Sequence, residues 1–480
     1  MEMRIEKDLL GEKEVPEGAY YGIHTVRAVE NFPISGLKIH PELIKALAMV
    51  KKAAVITNME LGYLDKDRGQ AIKQAAEEVA RGQFLDQFIV DAIQGGAGTS
   101  TNMNMNEVLA NRALEILGRE KGDYDYIHPN NHVNMCQSTN DVYPTAIRVA
   151  AVNMLLPLNY GFANLQEALQ IKEEEFAGVI KMGRTQLQDA VPITLGQEFS
   201  AYAQAISRDR WRLYKVEERL RQVNLGGTAV GTGLNAERKY IFMVNEKLRE
   251  VTGLGLARAE NMIDVTQNMD VFVEVSGLLK SASVNLCKIA NDLRLLSSGP
   301  RAGLGEINLP ERQAGSSIMP GKVNPVIPEA INQISFQIMS NDLAITLGAS
   351  AGQLELNVMA PLIAHNLLQS LEILNNGVEI FRKKCILGIT ANKEKCQEYL
   401  EKSYGLVTAL VPYIGYETAS EIAKKAIHED RNIREFALET GLFTPEELEI
   451  ILQPQEATHP GISGGKELKE KLKKQGIRFE

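Results

Sequence analysis

Tryptophan occurs once in this chain of 480 residues and cysteine only four times. Cys136, Cys287, Cys385 and Cys396 show no CxxC spacing, so neither a disulfide framework nor a cysteine zinc site is expected, and reduced thiols are the default. The seven histidines contain no HExxH pair, which removes the commonest zinc-hydrolase pattern. Basic charge is not in excess. Lys and Arg number 52 against 61 Asp and Glu, a formal net charge of −9, so no nucleic-acid partner is expected. A long hydrophobic run is also missing. The longest uncharged stretch, from Leu356 towards Leu371, is broken by Asn357, Pro361, His365, Asn366 and Gln369, which suits a buried bundle helix and no membrane span. Met1–Asp8 is too acidic and mixed for a signal peptide, so a cytoplasmic location is the expectation.

What is present is an ordinary globular composition, 44% hydrophobic and 24% charged, long enough for two or three domains around a large core. Helix dominates. Leu43–Met59 has apolar residues at helical spacing, begins after Pro41 and stops at Gly62. Four patterns exceed the usual helix length: Pro144–Phe176, Gln197–Val223, Met262–Leu296 and Gln353–Lys384, with Pro328–Leu347 between the last two. Such helices, apolar on several faces, predict a bundle that packs against other bundles. Tyr20-Tyr21-Gly22 and the residues before it read as irregular or strand. After about Thr390 the helices shorten, and the Lys/Glu-rich tail from Gly465 is expected to fray. The expected division is 1–140, mixed and mostly helical, 141–394, the long-helix bundle, and 395–480, a small helical domain.

The stretch richest in chemistry is Gly315-Ser316-Ser317-Ile318-Met319-Pro320-Gly321-Lys322-Val323-Asn324-Pro325. Its prolines and glycines predict a loop. Two hydroxyls, a lysine and an amide suit a carboxylate or a developing oxyanion. A phosphate-binding P-loop does not fit, because one residue too many separates the glycines and Val323 stands where Ser or Thr is needed. A plain connector is the bland reading.

Four other polar clusters interrupt the helices. Gly95–Asn104 stacks glycines ahead of hydroxyls and amides, just before a helix expected from Asn106; it reads as an anion site or a helix cap. Gln137-Ser138-Thr139-Asn140-Asp141 reads locally as a capping sequence. Gly183–Ala190 offers Thr185 and Gln186 to a polar group, or merely turns. Gly226–Ala236 contains Gly231-x-Gly233-x-x-Ala236, but it follows a long helix with no βαβ pattern, so a connection is expected there and no dinucleotide site. His128 and His132, in a loop with Asn130 and Asn131, read as surface or capping residues.

Together these segments resemble the fumarase/aspartase superfamily. The likeness runs nearly the whole chain: Tyr20–Thr25, Gly95–Asn106, Gln137–Asp141, Gly183–Pro192, Gly226–Asn235 and Ser298–Asn324 all fit its pattern. Gly96–Ser100, Gln137–Asp141 and Gln186–Ala190 are most similar to the ammonia-lyases acting on L-aspartate. Fumarases typically have serine at the position of Thr139 and histidine at that of Gln186. Ala360 departs from the pattern, since several such ammonia-lyases carry glutamate before that proline.

The resemblance implies a mainly α, three-domain fold whose central bundles assemble into the multi-helix core of a homotetramer, with active sites shared between subunits. It implies reversible deamination of L-aspartate to fumarate and ammonia, with fumarate hydration or a catalytically idle structural relative as alternatives. Ser316 would be the general base that takes the Cβ proton. Thr99, Ser138, Thr139 and Ser317 would hold the β-carboxylate, Lys322 and Asn324 the α-carboxylate, and Asn140, Thr185 and Gln186 would surround the amino group. No cofactor would be required. A divalent cation such as Mg2+ activates some relatives, but no motif here locates one. His128, Asn130 and Asn131 resemble a secondary dicarboxylate site of fumarases.

Overall fold

The structure is a computed structural model that describes residues 2–474. It is mainly helical, as expected. In chain order the elements are β1 (Met3–Asp8), β2 (Gly11–Pro16), α1 (Ile23–Asn31), α2 (Pro41–Glu60), α3 (Lys66–Ala80), α4 (Thr99–Ile116) and α5 (Thr139–Glu175). Then come β3 (Ile180–Thr185), β4 (Gln188–Thr194), α6 (Leu195–Val216), β5 (Gln222–Val223), α7 (Arg238–Thr252), β6 (Ala257–Arg258), α8 (Met262–Gln267) and α9 (Asp270–Leu296). The remainder is β7 (Ile307–Asn308), α10 (Val326–Ser350), α11 (Ala360–Lys384), β8 (Thr390–Ala391), α12 (Lys393–Lys402), α13 (Val411–Glu429), α14 (Ile433–Glu439), α15 (Pro445–Ile451) and α16 (Gly465–Lys474). Among the described residues the strands form four two-stranded sheets. No helix among the described residues is long and apolar enough to cross a membrane.

The chain forms two compact units, each drawn from three segments: residues 1–162, 209–284 and 333–377 in the first, and 163–208, 285–332 and 378–480 in the second. In the first unit the β1–β2 hairpin is tied to the approach to α1 by Arg4, whose guanidinium donates to the carbonyls of Pro16, Ala19 and Tyr21 at 2.8–2.9 Å. Glu107 of α4, fully buried, accepts the N–H groups of Gly22 and His24, each at 2.8 Å. It thereby serves donors that the start of α1 leaves open. Residues 141–151 of α5 are buried without exception. A helix enclosed on every side is held by packing, which explains why α5 tolerates Pro144 inside it; Pro157 also lies inside α5 but on its exposed part. In the second unit, Leu410, Tyr413, Ile422, Phe436, Phe443 and Leu448 form a separate apolar cluster.

Several boundaries differ from the sequence expectation. Met262–Leu296 is two helices, because Asn268 is extended (φ −98°, ψ 135°) and ends α8. The helix expected over Gln197–Val223 becomes 3-10 after Val216 and ends as strand β5. The helix expected from Gln353 begins only at Ala360, since Gln353 and Leu356 form a small β-bridge instead. The tail is helical over Gly465–Lys474; its last six residues, 475–480, lie outside the described residues. Around Gly226–Ala236 a short β5–α7–β6 unit with parallel strands does occur. Its strands are two residues long, too short for the open sheet that a dinucleotide fold requires.

Candidate active site

In the first unit two helices begin side by side. The helix expected from Asn106 starts at Thr99, so the polar cluster is its first turn. Gly98 precedes it at φ +95°, and a Cβ there would stand 2.6 Å from the Tyr143 ring; both its conformation and its contact demand glycine. Thr99 is exposed and donates its hydroxyl to Gly96 O at 2.7 Å. One turn on, Asn102 Nδ2 donates to Thr139 Oγ1 at 3.0 Å, joining the start of α4 to the start of α5. Adjacent helix N-termini concentrate partial positive charge, which favours an anion.

At the start of α5 the capping reading is right in its geometry. Ser138 Oγ accepts the Asn140 N–H at 3.2 Å, and Asp141 Oδ1 accepts the Ser138 N–H at 3.0 Å. Asp141 does more, because its second oxygen accepts the N–H groups of Gly226 and Thr228, each at 3.0 Å. Burial pushes its carboxyl up to about 6, opposed by those three bonds. Asn140 Nδ2 donates to Ala229 O at 2.8 Å. One buried carboxylate thus fixes the Ser138–Asn140 segment against the glycine-rich connection.

In the second unit Thr185 and Gln186 sit at the tip of the β3–β4 hairpin, exposed. Thr185 pairs with Gln188, so Gln186 and Leu187 alone form the turn, at φ +56° and +62°. A two-residue turn with both residues left-handed normally carries Asn-Gly, and neither residue here is of that kind. Arg184, next to Thr185, donates to Glu306 at 2.9 Å, and Lys181 meets the same fully buried carboxylate at 3.0 Å. The hairpin is anchored at its base and strained at its tip.

The Gly315–Pro325 loop is irregular, as expected, and closed at its neck. Gly315 N–H donates to Lys322 O and Asn324 Nδ2 donates to Gly315 O, both at 2.7 Å. Within the ring, Ser316 Oγ accepts the main-chain N–H groups of Ile318 at 3.2 Å and Met319 at 2.8 Å. Two fixed donors on a hydroxyl oxygen favour its ionised form. Ser317 and Lys322 are exposed, and so are the apolar Ile318, Met319 and Val323. Asn324, assigned to substrate from the resemblance, spends its amide N–H on the loop neck. A Cβ on Gly315 would lie 2.5 Å from Lys322 O and 2.8 Å from Asn324 N. Gly315→Ala is therefore expected to open the neck and lower turnover by roughly 10- to 100-fold through misplacement of Ser316; steady-state kinetics at the wild-type rate would disprove that role for the neck.

His128 caps its own turn. Its Nδ1 accepts the N–H groups of Asn130 at 3.0 Å and Asn131 at 3.4 Å, so both donors of the secondary-site resemblance are engaged within the loop. Of the supports of the first cluster, the sequence pattern includes Asn102 and Asp141 in its polar segments but gives them no supporting role, and it does not single out Lys51 or Asn134. Lys51 does leave a trace, a charge on the apolar face of α2 between Leu47 and Val55.

A family profile for lyases matches residues 11–340, and one for the fumarase C C-terminus matches residues 406–459. The aspartate ammonia-lyase of Bacillus sp is 57% identical over 465 residues, covering 97% of this chain and 99% of that one. The aspartate ammonia-lyase of Escherichia coli (strain K12) is 51% identical over 461 residues, covering 95% and 96%. Among solved structures, a Brucella melitensis fumarate lyase:delta crystallin bound to cobalt superposes with a TM-score of 0.92 at 50% identity, covering 96% of this chain and 100% of that chain. A class II fumarase from Schistosoma mansoni gives 0.92 at 37% identity, with the same coverage. The chain belongs to the aspartate ammonia-lyase family of the fumarase/aspartase superfamily.

Proposed function

We propose that this carbon–nitrogen lyase interconverts L-aspartate with fumarate and ammonia, using Ser316 as its base. The observation that carries the mechanism is the pair of main-chain N–H groups on Ser316 Oγ. The Cβ proton of aspartate is hard to remove because the neighbouring carboxylate is already anionic. Abstraction moves that proton to Ser316 Oγ and leaves an enediolate with two negative charges, so stabilising this species is the main task. Ser138, Thr139 and Ser317 supply hydroxyl donors to it, and so does Thr99 once its hydroxyl turns from Gly96 O. Lys322 fixes the α-carboxylate by a charge-assisted hydrogen bond, with Asn324 beside it. Collapse of the enediolate forms the C=C bond as the C–N bond breaks, and ammonia departs past Asn140, Thr185 and Gln186.

The substrate carboxylate is its own electron sink, so no resident cofactor is required. For activation by Mg2+, no group of three or more His, Cys, Asp or Glu side chains among the described residues is arranged to hold a metal, and no step runs through one. The three-domain division at 140 and 394 and a cytoplasmic location belong to the same proposal.

We also propose a homotetramer with sites shared between subunits. Its support is an uncovered apolar stripe on α10, where Phe336, Leu343 and Leu347 are 56%, 60% and 60% exposed at helical spacing, together with Trp211 and Tyr214 on α6. Stripes of this kind are usually covered by a partner.

The purified chain is expected to release ammonia from L-aspartate, with fumarate appearing in equal amount. It should form aspartate from fumarate only when ammonium is supplied. Malate from fumarate and water, without aspartate formation, would make it a hydratase; no turnover in either direction would make it an idle relative.

A further inference from the structure

Below the paired starts of α4 and α5 lies a charge that the reaction scheme does not use. Lys51 of α2 is 1% exposed. Its ammonium donates to Asn134 Oδ1 at 2.8 Å, a neutral acceptor, and it makes no ion pair among the described residues. Asn134 Oδ1 also receives Nδ2 of Asn102 and of Asn106, each at 3.2 Å. Asn102 Nδ2 reaches Thr139 Oγ1 at 3.0 Å, while Asn134 Nδ2 holds Gln137 O at 3.2 Å. One lysine thus anchors the amide that orders both the Gln137–Asn140 segment and the Thr139 hydroxyl.

Two physical consequences follow. A hydroxyl oxygen that already accepts from Asn102 keeps its proton free to donate elsewhere. A buried cation with no carboxylate in direct contact destabilises the resting fold, and an anion bound nearby relieves that cost. Asp141 is the charged group acting on the amine; burial lowers the lysine to about 7 and raises Asp141 to about 6. The amide oxygens of Asn102 and Asn106 are also buried without donors, so the cluster around Asn134 holds more acceptors than donors.

We propose that Lys51 is a positioning residue for the β-carboxylate subsite, orienting Thr139 through Asn134 and Asn102 and lending positive potential to the enediolate. The inference rests on the assignment of Thr139 to that subsite. Because its effect grows with the charge on the substrate, Lys51 acts on proton abstraction more than on ground-state binding.

The test uses the full chain and two variants. Lys51→Met removes the charge at similar length, and Asn134→Asp leaves the lysine but sets a carboxylate against it. In both, kcat is expected to fall roughly tenfold or more, short of the ~10²-fold or greater loss on deleting a direct oxyanion donor. The inhibition constant of succinate, a ground-state dianion, should change by far less. The kinetic isotope effect with Cβ-deuterated aspartate should rise, because proton abstraction becomes slower than the other steps; loss of packing alone would not move it. A wild-type isotope effect and kcat in whichever variant folds would overturn the proposal. If the wild-type chain itself releases no ammonia from aspartate, the reading of the site fails and this inference fails with it. Ammonia release with unaffected variants would sink the Lys51 role alone.

Discussion

Ser316→Ala is expected to lower kcat by roughly 10²- to 10⁴-fold, the usual scale for loss of a positioned base, while succinate binds within a few-fold of its wild-type affinity. The asymmetry follows from the loop. Ser316 Oγ accepts from Ile318 and Met319, both on the exposed side of the ring. In the alanine variant those N–H groups can turn to water, so the missing bonds cost only about 1 kcal/mol. The neck bonds between Gly315, Lys322 and Asn324 do not involve the hydroxyl and persist. Carboxylate contacts assigned to Thr99, Ser138, Thr139 and Lys322 also remain. Near-normal turnover, measured by ammonia release, would remove Ser316 as the base.

A second large effect is expected from mixing two dead enzymes. Ser316→Ala and Asn140→Ala should each be nearly inactive alone. If one site takes Ser316 from one subunit and Asn140 from another, equal mixing after subunit exchange leaves about one quarter of the sites intact in a closed homo-oligomer. Activity should therefore climb from background to about a quarter of the wild-type value. Should both residues come from the same chain, every site keeps one lesion and the mixture stays dead. Mass spectrometry of the exchanged species shows that mixing occurred, so persistent inactivity would then exclude sharing between these positions.

The long helices were legible because apolar residues at helical spacing extend well past the usual length, and α2 and α10 start and stop close to where that spacing places them. Boundaries failed where tertiary contacts outweighed local preference. Nothing local marks Asn268 as a break, and the β-bridge at Gln353 and Leu356 competes with a helix that the composition favours. The polar loops announced themselves through unusual residue pairs, and the capping geometry at the start of α5 is as the sequence suggests. Ser138 caps α5 with its hydroxyl and is half-buried. The supports were harder to see. Asn134 and Asp141 matter because of partners 80 or more residues away, Lys51 for one and the 226–228 connection for the other, and no local pattern encodes such distances.

The hairpin tip bears on how this enzyme can be improved. Gln186 and Leu187 occupy left-handed positions that suit Asn and Gly better, at a strain of order 1 kcal/mol each. Substitutions that relax such turns are among the commonest routes to greater thermal resistance. At Gln186 the same substitution would erase the side chain proposed to surround the departing amine. Heat-resistance and turnover screens are thus expected to select opposite residues at Gln186 but not at Leu187, and a library that varies Gln186 blindly trades one property for the other.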